Sequence, residues 1–112
     1  MLTRFHRLNF SLKSDRDLLH TGTLQKEPFF LLAYDFRGKT FQFGVMIPKK
    51  IISQATARND LRRTITMALP RQFVELSKLR LALRLTSNEV VRMNQADWQD
   101  FFTKLLKKLA DQ

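Results

Sequence analysis

Cysteine is absent from this 112-residue chain. That excludes disulfides, thiolate metal sites and cysteine nucleophiles together, and it suits a reducing, cytoplasmic setting. Glycine is scarce, with three residues placed singly at Gly22, Gly38 and Gly44, so no glycine-rich loop can cradle a phosphate. Acids are scarce as well, 10 against 20 Lys plus Arg, and they are scattered. A nuclease working through its own metal needs converging carboxylates. Asp15 and Asp17 lie two apart at a helix start and do not share a face, and Asp97 and Asp100 are accounted for as first-turn acids. His6 and His20 have no hydroxyl or carboxylate pattern around them that makes a proton relay; His20 reads as a cation near a helix end. Long apolar runs are missing too. The longest, Phe29 to Tyr34, is strand-sized and far short of the ~20 residues that span a bilayer. The absences argue against a self-sufficient catalyst and against a membrane partner.

What is present is charge of one sign. The formal net charge is +10, a field that attracts polyanions, nucleic acid first. The hydrophobic fraction of 44% is that of a globular chain, and the length suits one RNA-binding domain over residues 1–112. The start, Met1 to Ser14, carries Arg4, Arg7, Lys13 and His6 with no acid, as a mitochondrial presequence does. A structured start is the better reading, since a helix signal follows at once.

The pattern along the chain alternates between helix and strand. Ser14 and Asp17 read as a capping box for a short helix over about Asp15 to His20, closed by Gly22. Phe29 to Phe36 reads as a buried strand, Arg37-Gly38-Lys39 as a turn, and Thr40 to Ile47 as a strand with Phe41, Phe43, Val45 and Ile47 on one face. The short loop between them predicts an antiparallel hairpin. Leu61, Ile65, Ala68 and Leu69 recur at helical spacing from Arg58 until Pro70 ends the run. Leu79, Leu81, Leu83 and Leu85 alternate with Arg80, Ala82 and Arg84 as a strand with a basic outer face. Asn94 caps a last helix whose stripe is Trp98, Phe101, Phe102, Leu105, Leu106 and Leu109. The class is α+β, one small sheet packed with helices, in the order helix, strand, strand, helix, strand, helix, with room for an extra short strand near Leu24.

The chemistry concentrates between Lys49 and Arg63. Lys49, Lys50, Arg58, Arg62 and Arg63 face one acid, Asp60. Arg58 and Arg62 stack at i,i+4, with Asn59 and Arg63 beside them, while Leu61, Ile65 and Leu69 point to the core. This makes a rigid polar strip at a helix N-terminus, where free N–H groups also favour phosphate. Arginine forks take phosphate oxygens in pairs, and Asn can address base edges or a 2′-OH.

Those residues carry a resemblance. Phe43-Gly44-Val45-Met46-Ile47-Pro48-Lys49-Lys50, followed by Ala55-Thr56-Ala57-Arg58-Asn59-Asp60-Leu61-Arg62-Arg63, resembles the bacterial ribonuclease P protein component family, and the order of elements agrees over nearly the whole chain. The resemblance implies an α+β sandwich with a left-handed β-α-β crossover. It implies an RNA-binding cofactor of the ribozyme that removes the 5′ leader from precursor tRNA. The RNA subunit would then carry a Mg²⁺-dependent hydrolysis, with no catalytic residue and no identified metal ligand on the protein. It further implies that the basic helix meets the RNA subunit and that a cleft against the sheet holds the leader; no protein partner is implied. The alternative is a non-enzymatic RNA-binding protein of another assembly, of the ribosomal-protein kind.

Two departures stand out. Asp60 sits inside the strip, and Thr64 and Thr66 stand where further Arg is usual. The two aromatics that the family's first helix presents to the leader fall on Asp15 and Leu19. Candidate leader contacts are therefore Phe10, Leu19, Phe41 and Phe43, although Phe29, Phe30, Phe36, Phe41 and Phe43 are all expected first as core.

Overall fold

A computed structural model of the chain describes residues 6–10 and 12–111. The elements are α1 (Lys13–Thr21), β1 (Thr23–Lys26), β2 (Phe30–Asp35), β3 (Gln42–Met46), α2 (Ala55–Met67), β4 (Arg80–Leu85) and α3 (Gln95–Ala110), with single 3-10 turns at Arg71–Glu75 and Asn88–Arg92. The expected α+β class and order hold, and the optional strand near Leu24 exists as β1. The presequence-like start falls partly outside the described residues.

One sheet contains all four strands in the order β1-β2-β4-β3. β2 and β3 are therefore not a hairpin, which corrects the expectation from the short loop. β4 lies between them, antiparallel to β2 and parallel to β3. The physical reason is burial. Leu81, Leu83 and Leu85 are buried on one face of β4 and Ala82 on the other, which suits the middle of the sheet. The residues between Asp35 and Gln42 are enough to step across one strand, about 10 Å at ~4.8 Å per strand spacing. Gly38 N–H donates to Lys78 O (2.9 Å) and Gln42 N–H to Leu79 O (3.0 Å), closing that loop over the start of β4. A parallel β3–β4 pair needs a crossover of a dozen residues or more, and the 13 residues of α2 supply it.

The two faces of the sheet carry different loads. One is the main core. Phe30, Leu32, Tyr34, Phe41, Phe43, Val45 and the β4 leucines pack with Ile65 of α2, Ala68 just after it, and Trp98, Phe102, Leu105 and Leu109 of α3. Of the α3 stripe, Trp98, Phe102, Leu105 and Leu109 are buried while Phe101 and Leu106 pack half-buried against the core, and Asn94 completes a capping box with Asp97.

The other face is built from small residues. The register places Ala33 opposite Ala82, and Ala82 opposite Gly44, so a shallow row crosses three strands. Leu18 and Leu19 of α1, together with Leu8, lie on it. A Cβ on Gly22 would meet Leu18 O at 2.8 Å and Tyr34 O at 2.9 Å, so close approach, rather than a left-handed turn, requires glycine after α1. The predicted Ser14–Asp17 capping box is not formed. α1 starts at Lys13 behind Leu12, which makes no side-chain cap, and the buried Asp15 carboxylate instead accepts from Asn9 N–H (2.7 Å).

Arg80 ties this face together. Its Nε and Nη2 donate to Asp35 at 2.9 and 2.6 Å, and its Nη1 lies 3.5 Å from Asp15 and 3.4 Å from Ser14 O. The hydrogen bonds from Arg80 hold the Asp35 carboxyl below its ordinary value, against an opposing push from burial. Replacing Arg80 with Met strands two carboxylates and is expected to cost about 3 kcal/mol, read from denaturant melts followed by Trp98 fluorescence. Because the folded Asp35 value is depressed, its contribution is complete above about pH 4, the unfolded carboxylate value. It is lost as pH falls through the lower folded value. Asp35→Asn should remove that part of the acid limb; an unchanged acid limb would contradict the Arg80 account.

Candidate nucleic-acid interface

The strip on α2 is arranged by the crossover. Beyond β3, Pro48 O accepts from the N–H groups of Ile51 and Ile52 (2.9 and 3.2 Å), so Lys49 and Lys50 stand exposed in a closed turn. α2 then begins at Ala55, three residues before the expected Arg58 start, with Gln54 as an N-cap that makes no side-chain bond. Arg58 N–H already donates to Gln54 O (3.0 Å). The strip thus lies one turn inside the helix. The first-turn N–H groups belong to Ala55, Thr56 and Ala57, not to the strip itself, which corrects the expectation of a strip at the helix terminus.

Each strip side chain has a defined posture. Arg58 Nη1 donates to Ile52 O (3.0 Å) and Ser53 O (2.8 Å), bracing the loop that carries Lys49 and Lys50. Arg62 Nη1 donates to Asn59 Oδ1 (3.0 Å), and its Nε lies 3.4 Å from Val45 O on the outer edge of β3. Arg63 is exposed and reaches Asp60 at 3.7 Å, an exposed pair of little energetic weight. Within the strip, Asp60 pairs with Arg63. Leu61 packs half-buried against the core and Ile65 is fully buried, so the basic residues occupy the outward side of the helix.

The leader candidates separate. Phe41 and Phe43 are buried, stacked on or set edge-on to Phe73 and Phe102, with no ring face left for a base. They point to the core because they share one side of β3 with Val45. Leu19 is buried on the sheet-facing side of α1. Phe10 alone of the four stands half-exposed, lying over Gly44 beside Met46. Below the alanine row, the opposite face presents a second row, Lys26, Leu31, Arg84 and Met46, which α1 leaves open. Its β3 end borders the strip, since Arg62 reaches Val45 next to Met46. Sequence reading saw Arg84 only as part of a basic strand face; which cross-strand neighbours it has is set by the β4 register, which no local pattern reveals.

Among the described residues no group of three or more His, Asp or Glu could hold a metal ion. No helix among them is long and apolar enough to cross a membrane.

A family model described as Ribonuclease P matches residues 2–110. The chain belongs to the ribonuclease P protein family. Its function is the family's, that of the RNA-binding protein subunit of the enzyme that removes the 5′ leader from precursor tRNA, and the ribosomal-protein alternative is not favoured. An RNA partner in the holoenzyme follows from that membership. Solved structures share the fold. A Staphylococcus aureus ribonuclease P protein, a mutant with defective mRNA degradation activity, superposes with a TM-score of 0.73 at 15% identity, covering 96% of this chain and 90% of that one. The Thermotoga maritima ribonuclease P protein in complex with 1-(4-fluorophenyl)-2-thiourea gives 0.65 at 20% identity, covering 86% and 96%. No curated protein matches the chain.

Gly44 is the residue on which this ribonuclease P protein's open face turns. A Cβ there would lie 2.8 Å from Leu8 Cβ and 2.9 Å from the Phe10 ring. Gly44→Val is expected to lift Leu8 and Phe10 from the sheet and cost about 1–3 kcal/mol, read from denaturant melts. Wild-type stability in that variant would show that the packing there is loose.

Proposed function

We propose that this subunit grips the RNA subunit of ribonuclease P through Lys49, Lys50, Arg58, Asn59, Arg62 and Arg63. The single observation that carries the reading is the strip's geometry: braced, outward-facing cations on a crossover helix whose other side is core. Preformed arginine forks lose little entropy on meeting phosphates.

The 5′ leader of precursor tRNA lies on the open row beside the strip. Phe10 offers a half-exposed ring, Leu31 and Met46 an apolar floor, and Arg84 and Lys26 cations along it. Aromatic and apolar surface flanked by cations is the pattern of single-strand binding without strong sequence demand. The reaction takes place in the cytoplasm, where tRNA precursors are made. Mg²⁺ would serve the hydrolysis that the RNA subunit carries out, and the protein's part is to bind and orient. The cations of the strip lower the repulsion between the RNA subunit and its RNA substrate.

Arg62→Glu separates the strip's role from a merely solvated surface. Affinity for the RNA subunit should fall, and the slope of log K against log salt should shrink by about 0.7 to 0.9 for each phosphate no longer neutralised. The circular dichroism should remain native, because the Arg62 side chain bonds to Asn59 on the outer side of the helix and lies 3.4 Å from Val45 O, outside the apolar core. Leu61→Asp should instead unfold the domain by placing an unpaired charge against the core. Full RNA affinity in a folded Arg62→Glu variant would overturn the assignment.

A further inference from the structure

The opposite end of the sheet carries a second cationic cluster that neither the strip nor the open row uses. Phe36, expected in the core, is 41% exposed and touches Tyr34 edge-on at 6.2 Å. It is the one aromatic among the exposed large hydrophobic residues of the described chain. Arg37 and Lys39 follow it, and Lys78 joins them from the start of β4; all three are exposed. The cluster is held in place by backbone. Arg37 N–H donates to Asp35 Oδ1 (3.2 Å), and Gly38 N–H to Lys78 O (2.9 Å). A Cβ on Gly38 would lie 3.1 Å from Arg80 Cγ, so the loop is seated tightly on β4. The neighbouring acid, Asp35, is already taken in two bonds by Arg80.

An exposed ring amid fixed cations is the arrangement that binds single-stranded nucleic acid, the base on the ring and the phosphates on the cations. We infer that Phe36, Arg37, Lys39 and Lys78 form a second RNA site, which takes an unpaired nucleotide of the RNA subunit. The leader is not its ligand. The site lies at the N-terminal end of β3, whereas Lys49 and Lys50 follow its C-terminal end, about 17 Å away by strand rise. The start of α1 and the Arg80–Asp15–Asp35 cluster stand on the opposite face at this end, between the open row and the loop. A strand lying on Leu31, Arg84 and Met46 does not reach Phe36. The RNA subunit would thus hold the protein at both ends of the sheet.

This rests on the reading that the RNA subunit is the partner, and the test separates the two. Binding of a bacterial ribonuclease P RNA, without precursor tRNA, is measured for wild type, Phe36→Ala, Phe36→Tyr and the triple variant Arg37→Ala, Lys39→Ala, Lys78→Ala. Folding is checked by circular dichroism. Phe36→Ala should weaken binding about 5-fold or more, the effect of one base–aromatic stack. Phe36→Tyr should restore it, which a general loss of charge cannot explain. The triple variant should lower the salt slope by about 0.7 for each single-strand phosphate it ceases to neutralise. Wild-type affinity in both Phe36→Ala and the triple variant overturns the second site alone. A loss seen only when precursor tRNA with its leader is added overturns the assignment to the RNA subunit. Failure of the wild-type protein to bind the RNA at all overturns both readings.

Discussion

The parallel pairing of β3 with β4 is the constraint from which the rest follows. Two neighbouring parallel strands cannot be joined by a turn, so the chain must leave the end of β3, travel back and re-enter beside it. α2 is that return path. Because it must cover the sheet, one side becomes apolar, with Ile65 buried and Leu61 packed against the core. Because it starts where β3 stops, its first turns sit next to Lys49, Lys50 and the β3 edge. The polar side is then the natural place for Arg58, Asn59, Arg62 and Arg63. Topology, rather than helix propensity, brings the basic residues of two segments to one place.

The same pairing makes β3 an edge strand, with an open row of backbone groups that invites association. The chain covers it from both ends. Leu8 N–H donates to Phe43 O at 3.0 Å, and Arg62 reaches toward Val45 O. The covering segments are themselves functional in our account: the first carries Phe10, the second belongs to the strip. On the other side of β4, Arg80 satisfies Asp35 and Asp15 together and fixes α1 over the alanine row. The open row is what remains uncovered once α1 is seated. Its extent is therefore set by an ion pair and by Gly44, neither of which needs to touch RNA.

Local pattern revealed what depends on local physics. The period-2 burial of Phe41, Phe43, Val45 and Ile47, the α3 stripe, the Asn94 cap and the stop at Pro70 were all legible, because each is decided by neighbours within a few residues. The hairpin was not. A short loop with glycine favours one, but whether two strands pair depends on what else competes for the place between them, and β4, far along the chain, takes it. Ser14 failed as a cap because α1 already starts at Lys13, which places Ser14 inside the first turn. In the interface, the residue types of the strip were readable while their postures were not. Phe41 and Phe43 were candidates by type, and their side of β3 buried them. Phe36 was expected inside and is exposed because it follows the last residue of β2, where the sheet ends.

The central claim is that the protein contributes binding and the RNA contributes the cleavage. Its most direct measurement is 5′ processing of a precursor tRNA at low Mg²⁺ by the RNA subunit alone, the protein alone and the two together. The account predicts no cleavage by the protein alone and a clear gain for the pair over the RNA by itself. Cleavage by the protein without RNA, or no gain on mixing, would contradict it.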